Sequence, residues 1–185
     1  MEELVDRIKR EGKVISDTIL KVDSFLNHKV DPFLMKKIGE RFAEIFENER
    51  ITKVATVEAS GISPAIFTAL ALKVPLIFAR KRRPITLGRK IYERKITSRT
   101  KLNETIITLS GDYIDETDRV LIIDDFLATG ETIKALCDMI EESGASVAGI
   151  GICIEKTFQK GKERLKKYRI ESLAKVESLK PLKVR

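Results

Sequence analysis

The sequence predicts an α/β fold with a mostly parallel central sheet flanked by helices, and two patterns predict it. Short aliphatic runs (51–57, 75–79, 120–123 and 146–154) alternate with stretches whose apolar residues recur at helical spacing. One run, Val120 to Ile123, ends abruptly in Asp124-Asp125, as a strand buried on both faces does where it leaves its sheet. No internal repeat, low-complexity segment or linker divides residues 1–185, so one domain is expected.

Each element has a local cause. Residues 2–12 form a short charged helix. Asp31-Pro32 opens a longer one, with a capping side chain and then proline in the first turn. Behind it Leu34, Ile38, Phe42, Ile45 and Phe46 keep helical spacing to about residue 48. Strands over 51–57 and 75–79 bracket a helix of about 62–72 that begins at Gly61 or Ser63. Thr105 to Leu109 is another short strand, followed by the run ending at Asp124-Asp125. A helix over 131–143 stops at Gly144, and Ser146 to Ile154 is a further buried strand. Strands separated by helices pair in parallel through right-handed crossovers.

With 43% hydrophobic residues the chain can bury a substantial core. No run reaches the ~18 apolar residues of a membrane span. The first residues, MEELVDRIKREG, lack the apolar stretch of a secretory signal. Cys137 and Cys153 lie in apolar surroundings without metal-like spacing, so buried reduced thiols and a cytoplasmic setting are expected. The net charge of +7 is unevenly spread: residues 80–101 carry +9, residues 156–185 carry +8, and the remainder carries −10. Two local blocks suit anion gripping at particular places, and nucleic acid is not the expected partner.

The most informative stretch is VLIIDDFLATGET, Val120 to Thr132. A parallel strand delivers Asp124 and Asp125 to the carboxyl edge of the sheet, where such folds bind ligands. Ala128, Thr129, Gly130, Glu131 and Thr132 follow and open a helix, whose first N–H groups and threonine hydroxyls cradle a phosphate. Carboxylates for sugar hydroxyls thus stand beside donors for a phosphate, a pairing that suits a ribose 5-phosphate. Two loops share that edge. Glu58-Ala59-Ser60-Gly61 is a small-residue turn that lets the backbone approach an anion. Residues 80–101 are too long for an ordinary connection, read as a binding loop or lid, and hint at a short hairpin over Lys90 to Ile96.

The order strand, DD, two spacers, A-T-G-x-T, helix resembles the phosphoribosyl-diphosphate (PRPP) motif of type I phosphoribosyltransferases. Ile19 to His28, FARK at 78–81 and AGIGICIEKTFQKG at 148–161 resemble the xanthine-using branch of that family, over about residues 10–178. The resemblance implies the type I fold with a small N-terminal hood from residues 1–30, and a mobile loop at 80–101. It implies a reaction of xanthine with PRPP giving xanthosine 5′-monophosphate and diphosphate, Mg²⁺ dependence carried mainly by PRPP, purine salvage and a homodimer. Residue by residue, it places Asp124 and Asp125 at the ribose and Ala128 to Thr132 at the 5-phosphate. Ala59, Ser60, Gly61, Lys81, Arg82 and Arg83 fall at the diphosphate, and Leu20, Asn27 and Lys156 at xanthine. No residue is assigned as a direct metal ligand.

Asn27 can donate and accept, so it can read an oxopurine edge, while Lys156 only donates and suits a carbonyl oxygen or anionic ring. On the residues alone, Asn27 is equally a turn residue and Lys156 a surface lysine. His28, the single histidine, has no sequence partner and is left unassigned. The lysine-rich block from Lys160 onwards reads as a solvated face. Two rivals stay open: a phosphoribosyltransferase for guanine, hypoxanthine or adenine, and a PRPP-binding regulator that also binds RNA.

Overall fold

The computed structural model describes residues 1–82, 88, 90–97 and 104–185. In chain order it contains α1 (Glu2–Glu11), β1 (Lys13–Val14), β2 (Leu20–Lys21), a π-helical turn at Asp23–Asn27, α2 (Pro32–Ile45), β3 (Lys53–Val57), α3 (Ile62–Leu72) and β4 (Leu76–Ala79). Next come β5 (Ile91–Thr97), β6 (Glu104–Ser110), β7 (Arg119–Leu127), α4 (Glu131–Glu142), β8 (Ser146–Lys156), α5 (Gly161–Arg164), β9 (Ile170–Leu179) and β10 (Leu182–Val184). The expected start of α2 is realised: Asp31 Oδ1 accepts from the N–H groups of Phe33 at 3.1 Å and Leu34 at 3.2 Å.

Six strands form the main sheet in the order β10-β9-β8-β7-β3-β4, parallel throughout except for β10 against β9. The chain therefore steps outward from β3 to β4 in one direction and from β7 to β8 in the other. Right-handed crossovers put α3 and α4 on opposite faces. Ala65 and Ala69 of α3 accordingly join one buried cluster, with Val54, Leu121 and Ile123, while Ile133, Leu136 and Ile140 of α4 join the other, with Val120 and Ile122. The loops leaving neighbouring β3 and β7 diverge, and a crevice opens between them at the carboxyl edge.

The N-terminal segment lies outside the main sheet but packs into the first of those clusters. Leu4, Ile8, Leu20, Phe25 and Leu26 are buried with Phe42 of α2 and with Ala174 and Val176 of β9. Arg7 fastens it further, pairing with Asp31 at 3.1 Å and lying over the Phe25 ring. No described helix is long and apolar enough to cross a membrane.

Three expectations need correction. The block beyond Lys160 is not only a solvated face: β9 is an interior strand between β8 and β10, and Leu173, Ala174, Val176 and Leu179 are buried. Its charged residues fall largely on positions that keep some access to solvent, and their long stems tolerate the sheet surface. The hairpin expected within 80–101 is wider than that segment. All of β5 pairs antiparallel with β6, Ile91 opposite Ser110 through Thr97 opposite Glu104, in a separate two-stranded sheet. Residues 83–87, 89 and 98–101 of the expected mobile loop lie outside the described residues, Arg83 among them. Finally, β7 does not stop at the aspartates but runs on to Leu127, with Phe126 opposite Ile154 on β8.

Candidate active site

The crevice between β3 and β7 is a cleft of roughly 200 Å³. It is lined by Glu58, Ser60, Gly61, Lys81, Asp124, Asp125 and the run Phe126 to Ile133. The structure thus brings together Asp124, Asp125, Ala128, Thr129, Gly130, Glu131, Thr132, Ser60, Gly61 and Lys81. Ala59 and Arg82 adjoin that lining without being part of it.

One wall is the start of α4. Gly130 adopts φ +76°, a left-handed conformation that suits glycine, and turns the chain from β7 into the helix. No side-chain cap hydrogen bond is made at this helix start, and it brings the positive end of the helix dipole to the cleft. The opposite wall is the turn from β3 into α3, whose N-terminus is likewise uncapped by a side chain. The Glu58–Ala59 peptide in that turn is cis. Glu58, which the sequence placed only within that small-residue turn, joins two strand ends: its N–H donates to Ala79 at 3.0 Å and its Oε1 accepts from the Lys81 N–H at 2.8 Å.

Asp124 and Asp125 stand half-buried between these walls. Asp124 Oδ1 accepts from the Asp125 N–H at 3.0 Å. Burial, then the charge of Asp125 and a side-chain hydrogen bond with it, hold the Asp124 carboxyl well above the usual carboxylate range, against the pull of the Asp125 N–H and Lys81. Two carboxylates, a lysine and two helix N-termini in one cleft can hold a polyol bearing phosphate groups at both ends.

A brace behind the α4 wall was also missed. Gly161 packs so closely on this loop that a Cβ there would sit 2.3 Å from the Ala128 carbonyl oxygen. Arg164 of α5 donates through Nε to the Thr129 carbonyl at 3.1 Å. Both residues belong to the basic block that looked merely solvated, and nothing local in KGKER marks a contact with residues some thirty positions earlier.

Leu20, Asn27 and Lys156 do not line this cleft. Leu20 is buried in the hydrophobic cluster. Asn27 ends the π-helical turn, and its buried Oδ1 has no hydrogen-bond partner among the described residues. Lys156 ends β8, lies 5.0 Å over the ring of Phe126 and donates to the Thr18 carbonyl at 2.8 Å. Phe126, an aromatic residue directly after the aspartate pair, is the link between Lys156 and the cleft. Burial lowers the Lys156 pKa, with Asp125 opposing. His28 pairs with Asp23 at 3.5 Å and is strongly exposed, and both cysteines are buried and free.

Comparison with known proteins gives consistent results. The phosphoribosyl transferase domain family matches residues 29–180. Xanthine phosphoribosyltransferase of Bacillus mycoides (strain KBAB4) is 52% identical over 181 residues, 97% of this chain and 92% of that protein. The protein of the same name from Bacillus thuringiensis (strain Al Hakam) matches to the same extent. Among solved structures, adenine phosphoribosyltransferase from Thermoanaerobacter pseudethanolicus superposes with TM-score 0.76 at 27% identity, covering 92% of this chain and 99% of that one. Adenine phosphoribosyltransferase from Rhodothermus marinus does so with TM-score 0.77 at 24% identity, covering 95% and 100%.

Proposed function

The chain belongs to the phosphoribosyltransferase family, and from that premise we propose that it transfers the 5-phosphoribosyl group of PRPP to xanthine. The products are xanthosine 5′-monophosphate and diphosphate. The observation that carries the reading is the pairing, in one cleft, of Asp124 and Asp125 with the uncapped start of α4. The choice of xanthine is supported by the names of relatives 52% identical over 97% of the chain.

In this reading Ala128 to Thr132 hold the 5-phosphate through N–H groups and hydroxyls. Ala59, Ser60, Gly61, Lys81 and Arg82 receive the diphosphate. Asp124 and Asp125 hold the ribose hydroxyls. Mg²⁺, when bound with PRPP, would offset the diphosphate charge beside Asp124 and Asp125. The purine nitrogen forms its bond to C1 of the ribose as the C1–oxygen bond to diphosphate breaks; the diphosphate leaves with the electron pair, and the proton of the purine N–H passes to solvent or to the departing diphosphate. The ribose gains positive character, which two adjacent carboxylates stabilise, while Lys81 and the α3 N-terminus stabilise the departing charge. Lys81 and Arg82, at the start of the basic segment, draw in on bound diphosphate and help exclude water that would hydrolyse PRPP.

Xanthine then lies on the Phe126 side, between Lys156 and the hood residues Leu20 and Asn27. The unpartnered Asn27 Oδ1 supports this, because a buried acceptor gains most from a donor such as a purine N–H. We further propose a cytoplasmic homodimer functioning in purine salvage. The exposed Ile66, Leu70 and Phe78 offer a surface for the second copy, and sedimentation measures its mass.

Steady-state kinetics with PRPP and each of xanthine, guanine, hypoxanthine and adenine, with and without Mg²⁺, test the function. Xanthine should give the highest kcat/KM, and activity should vanish with a chelator. A higher value for another purine would reassign the acceptor. No turnover with any of the four would remove the enzymatic reading.

A further inference from the structure

We propose that the Thr56 hydroxyl is the positioning group for Asp124: it turns its O–H onto the Asp124 carboxylate and fixes the face that carboxylate presents to the cleft. The role of that carboxylate rests on the ribose-binding reading above.

Thr56 is the fourth residue of β3 and fully buried, yet its Oγ1 has no hydrogen-bond partner among the described residues. Leaving a buried hydroxyl unpaired costs stability that isosteric valine would not. The same strand carries Val54 and Val57, so valine suits its backbone. The direction of the hydroxyl supplies the reason for threonine. The point at which a Cβ on Gly61 would stand lies 2.2 Å from Thr56 Oγ1 and 2.6 Å from Asp124 Oδ1. The two oxygens therefore flank one small gap, and the missing side chain of Gly61 keeps carbon out of it. In the proposed arrangement, rotation of the Thr56 or Asp124 side chain brings the hydroxyl onto the carboxylate across this space.

Asp124 needs such a partner. Among the described residues, the ionisable groups near it include Asp125 beside it on β7, Glu58 beyond β3, Glu131 at the start of α4, Lys81 beyond β4, and Cys153 on β8. Three of these are carboxylates, and Cys153 is buried and resists ionisation, so Lys81 is the one attractive charge of this group. The Asp125 N–H reaches only one lone pair of Oδ1. A hydroxyl donor on that oxygen favours the ionised form and locks the plane of the carboxylate.

Thr56→Val and Thr56→Ser test the proposal with two independent readouts. The first is the carboxyl infrared band of Asp124 in free protein, assigned by its loss in Asp124→Asn and titrated with acid. Thr56→Val should move its midpoint to higher pH, and Thr56→Ser should restore it. The second is kcat/KM for PRPP, which should fall about ten-fold or more in the valine variant and recover in the serine variant. The thermal midpoint of Thr56→Val should fall at neutral pH relative to its value in acid, where Asp124 is protonated in wild type and variant alike. Should the valine variant not fold, Thr56→Ala takes its place. An unshifted titration or an unchanged kcat/KM would return Thr56 to a packing role. A shifted titration in a protein whose wild type does not turn over PRPP would instead refute the proposed function while leaving the Thr56–Asp124 contact standing.

Discussion

The Lys156 ammonium donates to the Thr18 carbonyl at 2.8 Å, joining the end of β8 to a turn of the N-terminal segment 138 residues earlier in the chain. Lys180 pairs with Asp17 on the same turn, so two lysines hold it. A lysine has three donors, and one is spent on Thr18. The others remain for a ligand beside Phe126.

Lys156→Met keeps the stem and removes the charge and donors. Its kcat/KM for xanthine should fall by roughly 5- to 150-fold, the effect of about 1–3 kcal/mol for an acceptor left unpaired. The KM for PRPP should hardly change, since other residues make that site. Amide exchange over residues 15–19 should quicken as the Thr18 tether is lost. Unchanged xanthine kinetics would limit Lys156 to a tether.

Asp124→Asn with Asp125→Asn should cut turnover by at least about a hundred-fold while far-ultraviolet circular dichroism stays native. The single Asp124→Asn should also raise the thermal midpoint at neutral pH. The sign follows from the raised pKa. A carboxyl that resists ionisation in the fold stabilises it only while protonated, and that contribution is lost as pH rises through the folded pKa. Above the unfolded carboxyl range, keeping Asp124 in its buried place is therefore a cost that asparagine removes. The gain should vanish when the melt is repeated in acid, below the unfolded carboxyl range.

Gly161→Ala should raise the KM for PRPP about ten-fold or more while leaving the response to purine concentration nearly unchanged. Its methyl group would enter the space of the Ala128 carbonyl and push the phosphate loop into the cleft. Arg164→Ala should act in the same direction and more weakly, because it removes one exposed contact to Thr129. Equal binding of PRPP by calorimetry in all three proteins would show that the brace is dispensable.

Trypsin cleavage after Lys81 and Arg82, both exposed in the free protein, should slow when PRPP and Mg²⁺ are present. Bound diphosphate would neutralise the charge of these two residues, part of a segment carrying +9 over 80–101, and hold them against the cleft. Mass spectrometry of the first fragments measures this, and identical cleavage rates would argue against that contact.

What was legible in the sequence was what neighbouring residues impose on one another. Asp31-Pro32 favours a helix start, aliphatic runs alternating with helical stretches favour parallel pairing, and the DD and A-T-G-x-T pattern favours emergence together at a strand's carboxyl end. Tertiary structure decided whatever depends on residues far apart in the chain. Ile170–Leu179 shows no clear apolar run, yet it lies inside the sheet because β8 and β10 supply hydrogen bonds on both of its edges. Thr105–Leu109 was recognisable as a strand, but pairing placed it against Ile91–Thr97 and outside the main sheet. The backing of Ala128 and Thr129 by Gly161 and Arg164 and the hold of Lys156 on Thr18 are of the same kind. Local propensity sets the backbone of each segment, but only closure of the sheet brings such groups within hydrogen-bonding reach.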